Sequence, residues 1–108
     1  MAYNLELAKR LAAQMKGLPF VEKKMFGGVG FLIHGNMACG VNKDSMIVRC
    51  RPEKHTALLK RKGARPFDLS HRPAIGWLMV DAEGLKTDAQ LAAWLKEGVN
   101  FALSLPPK

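Results

Sequence analysis

Two cysteines, Cys39 and Cys50, and three histidines, His34, His55 and His71, have the widest chemical range in this 108-residue chain. Together they are the raw material for a zinc site, a redox pair or a Cys–His nucleophile. A structural zinc site takes four ligands at short, recognisable spacings, and no such spacing relates these five residues. Nothing near either cysteine resembles Cys-x-x-Cys. Small buried thiols are the plainer expectation. A thiol sensor stays open because both cysteines are expected on one face of neighbouring strands.

Other chemistry is equally thin. Ser45, Ser70 and Ser104 lack the context of a nucleophile elbow. The nine acidic residues fall singly in turns and helix ends, without the pairing that acid–base catalysis uses. Gly27-Gly-Val-Gly30 is rich enough in glycine for a phosphate loop, but a strand is expected after it. A phosphate loop needs a helix N-terminus there. A bulge or a close backbone approach accounts for these glycines better. No catalytic residue, metal ligand or cofactor is therefore expected, and the chain reads as a non-enzyme.

Charge is the stronger signal. The net charge is +8, and the segment 49–72 holds eight basic residues, Arg49, Arg51, Lys54, Lys60, Arg61, Lys62, Arg65 and Arg72. Only Glu53 and Asp68 oppose them, so this segment alone carries +6. Such a bias suits a polyanion or an acidic protein surface, and it also suits solubility alone. Trp77 and Trp94 could stack on bases, but both lie in apolar periodic segments and are expected in the core. Arg65-Pro66-Phe67 admits two readings. The pair could line a recognition surface, or Phe67 could anchor a loop while Arg65 pairs with a carboxylate such as Asp68.

These residues need elements to position them. Asn4 to Lys16 reads as an amphipathic helix, with Leu5, Ala8, Leu11, Ala12 and Met15 at helical spacing, Asn4 as N-cap, and Gly17 and Pro19 as the stop. A four-strand meander follows over 23–27, 28–34, 37–41 and 46–51. A two-residue Lys43-Asp44 loop would set Val41 opposite Met46 and Cys39 opposite Val48. Met37, Cys39 and Val41 would then share a face with Met46, Val48 and Cys50, leaving Arg49 and Arg51 on the other. For the preceding hairpin, a three-residue His34-Gly35-Asn36 loop is preferred to a two-residue Gly35-Asn36 turn, because it buries Val29, Phe31 and Ile33.

Pro52 opens a short surface helix to about Arg61, with Lys60, Arg61 and Lys62 at its C-terminal end, where cations complement the helix dipole. Residues 64–69 read as a loop and 75–81 as the last strand. Thr87 and Gln90 form a capping box for a final helix bearing Leu91, Trp94, Leu95, Phe101 and Ala102, interrupted by Gly98. The order α-β-β-β-β-α-β-α predicts a single α+β domain over 1–108, built on an antiparallel sheet of about five strands. No apolar run approaches the roughly 20 residues of a membrane span, and no signal peptide opens the chain. The cytoplasm is the expected location.

Met25-Phe-Gly-Gly-Val-Gly-Phe-Leu32, Gly35-Asn-Met37, Ala64-Arg-Pro-Phe67, Gly76-Trp77 and Leu91-x-x-Trp94 together resemble the N-terminal domain of the TfoX/Sxy family. The resemblance runs from about Leu11 to Leu103. It implies helices packed on an antiparallel sheet, similar to bacterial secretion chaperones. It also implies a link to natural competence, where full-length members promote transcription together with a cyclic-AMP-dependent activator. Full-length members carry a second, helical domain after this one, so a chain ending at Lys108 is expected to be a stand-alone N-terminal-domain protein. A regulatory domain acting by contact with an unidentified protein partner, or as a homodimer through exposed sheet or helix faces, is the leading expectation. A nucleic-acid-binding module using the basic segment is the alternative.

Overall fold

The computed structural model describes residues 3–25, 27–67 and 74–108. Among the described residues it is an α+β fold with three α-helices and a six-stranded antiparallel sheet. In chain order the elements are α1 (Leu5–Gln14), β1 (Phe20–Met25), β2 (Gly28–Ile33), β3 (Asn36–Asn42), β4 (Ser45–Arg49), α2 (His55–Leu59), β5 (Ala64–Pro66), β6 (Trp77–Val80) and α3 (Asp88–Ser104). The sheet order is β1-β2-β3-β4-β6-β5.

Local chemistry sets the helix ends. The Asn4 side chain accepts from the Leu7 N–H at 3.0 Å, while its own N–H donates to the Lys43 carbonyl at 2.7 Å, tying α1 to the β3–β4 turn. Thr87 and Gln90 form the expected capping box, with reciprocal bonds of 3.0 and 3.1 Å. Pro52 starts a 3₁₀ turn, Pro52–Lys54, that runs into α2, so the second helix is shorter and less regular than its periodicity predicts. In α1 the buried stripe is Leu7, Ala8 and Leu11, continued by Met15 at the C-cap. Leu5, expected to lead it, is exposed.

Val41 faces Met46 and Cys39 faces Val48 across a two-residue Lys43-Asp44 loop, as the sequence predicts. The β2–β3 hairpin differs from both loops expected for it. Ile33 pairs with Asn36, so the turn residues are His34 and Gly35, both at positive φ (52° and 83°). Such a pair matches the favoured two-residue hairpin geometry. Val29, Phe31 and Ile33 still face the core, because a bulge at Ala38 restores the alignment. Phe31 pairs with Cys39 while Leu32 pairs with Met37. The extra residue has a second consequence: Met37, expected beside Cys39, is turned to the opposite face.

Segment 64–66, read as a loop, is a sixth strand on the outer side of β6. Its three residues and central arginine carry no strand pattern of their own, and pairing with Leu78–Val80 is what makes them extended.

The main core lies between α1, α3 and one sheet face, and includes Leu11, Met15, Phe31, Cys39, Met46, Val48, Leu78, Leu91, Trp94 and Leu95. On the other face Met37, Ile47 and Met79 form a second cluster, with Met25, Leu32, Phe67 and Trp77 half-buried around it. Trp94 is therefore core, as expected. Trp77 belongs to the second face and is only partly buried.

Candidate functional site

The basic segment begins on β4, and its members do not share one fate. Arg49 leaves the sheet beside its cross-strand neighbour Trp77, and its guanidinium lies between two rings, 5.1 Å from the Trp77 centroid and 5.0 Å from that of Phe101. Its Nε is buried with no hydrogen-bond partner, and loss of water lowers the pKa of the group from its ordinary value. This arginine links α3 to the sheet through cation–π contacts with one ring from each.

Lys54 and Arg61 flank α2 and converge on a single carboxylate of α3. Lys54 Nζ is 3.2 Å from Glu97 Oε1, and an Arg61 terminal nitrogen is 3.8 Å from Oε2. Arg61 also lies over the Trp94 ring at 5.3 Å. The pairs fix α2 against α3. The nearby Glu97 charge, after burial itself, also pushes the Cys50 thiol pKa up, and Lys54 opposes it.

Arg65, on β5, reaches across β6. Its Nε donates to Asp81 Oδ1 at 3.0 Å and Oδ2 at 3.1 Å, and an Nη donates to Ser45 Oγ at 3.3 Å. Ser45 in turn donates to Asp81 Oδ1 at 2.6 Å. The Ser45 hydroxyl, and then the Arg65 guanidinium, hold the Asp81 carboxyl below its ordinary pKa. Of the two readings left open for Arg65-Pro66-Phe67, this geometry favours the anchoring one, with Asp81 as a carboxylate partner; Asp68 lies outside the described residues. Phe67 packs on Trp77 with centroids 5.6 Å apart.

Arg51, Lys60 and Lys62 remain. All three are exposed, and they make no ion pair among the described residues. Arg72 lies outside the described residues. Among the described residues the segment thus divides into four cations with partners in the fold, two of which, Lys54 and Arg61, keep side chains 52% and 46% exposed, and three that make no ion pair. Sequence reasoning missed Ser45, Asp81 and Glu97, the acceptors of Lys54, Arg61 and Arg65, because each lies far along the chain from its partner and sits in no motif.

Cys39 and Cys50 do lie on one face, both in the main core and both free thiols. Burial pushes the Cys39 pKa up to about 12. A thiol so protonated and shielded is a poor nucleophile. Gly28 resolves the glycine-rich stretch. A Cβ there would run into the Val41 carbonyl oxygen, so the glycine permits close approach of β2 and β3.

The sheet edges are the remaining functional geometry. β5 closes one side with three residues ending in Pro66, which has no N–H to offer. On the other side β1 pairs with β2 alone, and its outer edge is unpaired among the described residues. Its middle four residues, Val21 to Lys24, are exposed, and Val21 is 65% exposed. Strand β1 begins at Phe20, three residues earlier than its sequence pattern indicates. Its signals were Pro19 immediately before it and the β-branched Val21.

No curated protein and no solved structure matches the chain. A family model for the TfoX N-terminal domain matches residues 13–102, from the last turn of α1 through nearly all of α3, and so spans the whole sheet. With five-sixths of its length covered by that match, including both the glycine-rich β2 and the Arg65–Phe67 anchor, the chain belongs to the TfoX N-terminal domain family.

Proposed function

We propose that this TfoX N-terminal domain is a non-enzymatic regulatory domain of the cytoplasm that acts by protein contact, through the open edge of β1. The observation that supports it most is the edge itself. Six residues of extended backbone, without proline, leave the N–H and C=O groups of alternate residues without a partner strand among the described residues, beside an exposed Val21. An added strand satisfies those groups and gains its specificity from alternate side chains. Exposed edges of this length invite pairing; proteins that do not use them shorten, bulge, cover or charge them, and of these devices β1 carries only the charges of Glu22, Lys23 and Lys24. The process that the family resemblance offers for such a domain is regulation of natural competence.

A photo-crosslinking residue placed at Val21, with Ala92 on the exposed side of α3 as reference, tests this reading in cells. Protein adducts at position 21 well above those at position 92 are expected. Equal yields at both positions would sink the edge as the site of contact.

The second reading, binding to nucleic acid, draws on the free cations Arg51, Lys60 and Lys62. It has fewer contacts to work with than the composition of the segment suggests, since Arg49 is buried between α3 and the sheet and Arg65 is bonded to Asp81, while Lys54 and Arg61 share Glu97 at the surface.

A further inference from the structure

We infer that the occupant of the β1 edge is the β1 strand of a second copy, running antiparallel about a two-fold axis at Lys23, so that two sheets join into one. The inference rests on the edge reading above and adds its partner and register.

Symmetry limits how β1 can pair with itself. A two-fold axis perpendicular to a continuous sheet keeps every side chain on its own face, so one residue must lie opposite its own copy. Within Phe20–Met25 only two such registers overlap by five residues, one centred on Glu22 and one on Lys23. Centred on Glu22, the strands set two carboxylates face to face, with Val21 against the partner's Lys23 and Phe20 against the partner's Lys24. That register has no opposite-charge pair and no apolar pair.

Centred on Lys23, the same strands behave differently. Glu22 lies opposite the partner's Lys24, twice by symmetry, and Val21 lies opposite the partner's Met25, also twice. Opposite charges and apolar pairs directly across an antiparallel ladder are the stabilising combinations. The single like pair, Lys23 with the partner's Lys23, sits on the axis, where two long stems can splay into water. Val21 and Met25 share the face of the second apolar cluster, of which Met25 is already a half-buried member. Pairing would therefore cover the 65% exposed Val21 and extend that cluster into the partner. Lysines on an edge usually block pairing; here Glu22 is placed to neutralise Lys24 across the interface.

Sedimentation equilibrium of the full chain is the first measurement, with a dimer expected. Glu22→Lys turns two attractive pairs into two repulsive ones and should weaken the dimer on the order of tenfold. Adding Lys24→Glu to that variant exchanges the charges and should restore affinity to within about threefold of the original. Thermal unfolding of each variant checks that the exposed substitutions leave the fold intact.

Lys23→Cys gives a register-specific readout. Directly opposite residues lie about 4.5–5.5 Å apart at Cα, within disulfide reach, so mild oxidation should yield a covalent dimer. Cys39 and Cys50 are 0% and 1% exposed and do not compete. Lys43→Cys, exposed on the β3–β4 turn, is the control and should not cross-link.

A chain that stays monomeric at about 100 µM, or a charge exchange that fails to restore the dimer, would overturn the inference. So would a Lys23→Cys variant that cross-links no faster than the control. Position-21 adducts to a different protein, with a monomeric chain, would overturn the self-pairing and leave the edge reading standing. Absence of position-21 adducts would remove the edge reading itself.

Discussion

Gly98 of α3 lies directly against the carbonyl oxygen of Ala38, the bulged residue of β3, so closely that a Cβ at position 98 would overlap that oxygen. Helix and sheet backbones meet there without a side chain between them. In an exposed helix interior, Gly→Ala gains up to about 1 kcal/mol. Here Gly98→Ala should instead destabilise the protein by about 1–3 kcal/mol, because neither backbone can yield cheaply. Urea unfolding measures it. Asn100→Ala, exposed two residues on in the same helix, should stay within about 0.5 kcal/mol of the parent.

The Ser45–Asp81–Arg65 cluster predicts an acid-sensitive contribution to stability. Its hydrogen bonds depress the folded-state pKa of Asp81 below the ordinary 3.8. A depressed carboxylate stabilises the fold above its unfolded pKa and loses that contribution as pH falls through its folded value. Stability from this group is therefore level from neutrality to about pH 5, then declines below about pH 4. Asp81→Asn should cost about 1 kcal/mol at pH 7, the side chain being partly exposed. The gap between variant and parent should close in denaturation curves recorded at progressively lower pH.

Arg49 and the three free cations should separate in a salt titration. If Arg51, Lys60 and Lys62 supply the phosphate contacts, binding to duplex DNA should weaken with salt at a log–log slope near −3. Replacing all three by alanine should flatten that slope. Arg49→Ala should leave the slope unchanged and cost about 1–2 kcal/mol of stability, with altered tryptophan fluorescence from Trp77. Arg49→Lys should recover only part of that loss, since a compact ammonium spans two rings less well than the broader guanidinium.

Cys39 should behave as a core residue toward thiol reagents. With its pKa pushed up to about 12 and its surface fully covered, labelling in the native state should be slow and should track global unfolding. Cys39→Ser should destabilise by about 1–3 kcal/mol by burying a hydroxyl in an apolar site. Rapid labelling of the folded protein, or a stable Ser variant with altered regulation, would restore the sensor reading.

The helix caps were legible in the sequence because they are local. Asn4, Thr87 and Gln90 each act within a few residues, and each does what its type and spacing predict. Helix α1 ends at Gln14, two residues before the expected Lys16, with Gly17 at positive φ beyond the Met15 cap. The β3–β4 register was legible for a related reason, since a short polar turn joins two runs whose alternate residues are apolar. The β2–β3 loop was misread because hydrophobic alternation fixes a face but does not reveal an inserted residue. The bulge at Ala38 absorbs one position, moving the turn to His34-Gly35 and Met37 to the far side.

The sequence by itself determined the α+β class, the family, and the concentration of positive charge between Arg49 and Arg72, because composition, periodicity and motifs are properties of the chain alone. Only the tertiary structure decided which of those cations meet partners within the fold. Arg65 meets Asp81 and Ser45, Lys54 and Arg61 meet Glu97, and Arg49 meets Trp77 and Phe101. Folding likewise made β1 an edge strand and β5 a strand at all. These pairings join residues 16 to 52 positions apart, and what lies opposite a side chain across such a span is set by strand order and packing rather than by its neighbours in sequence.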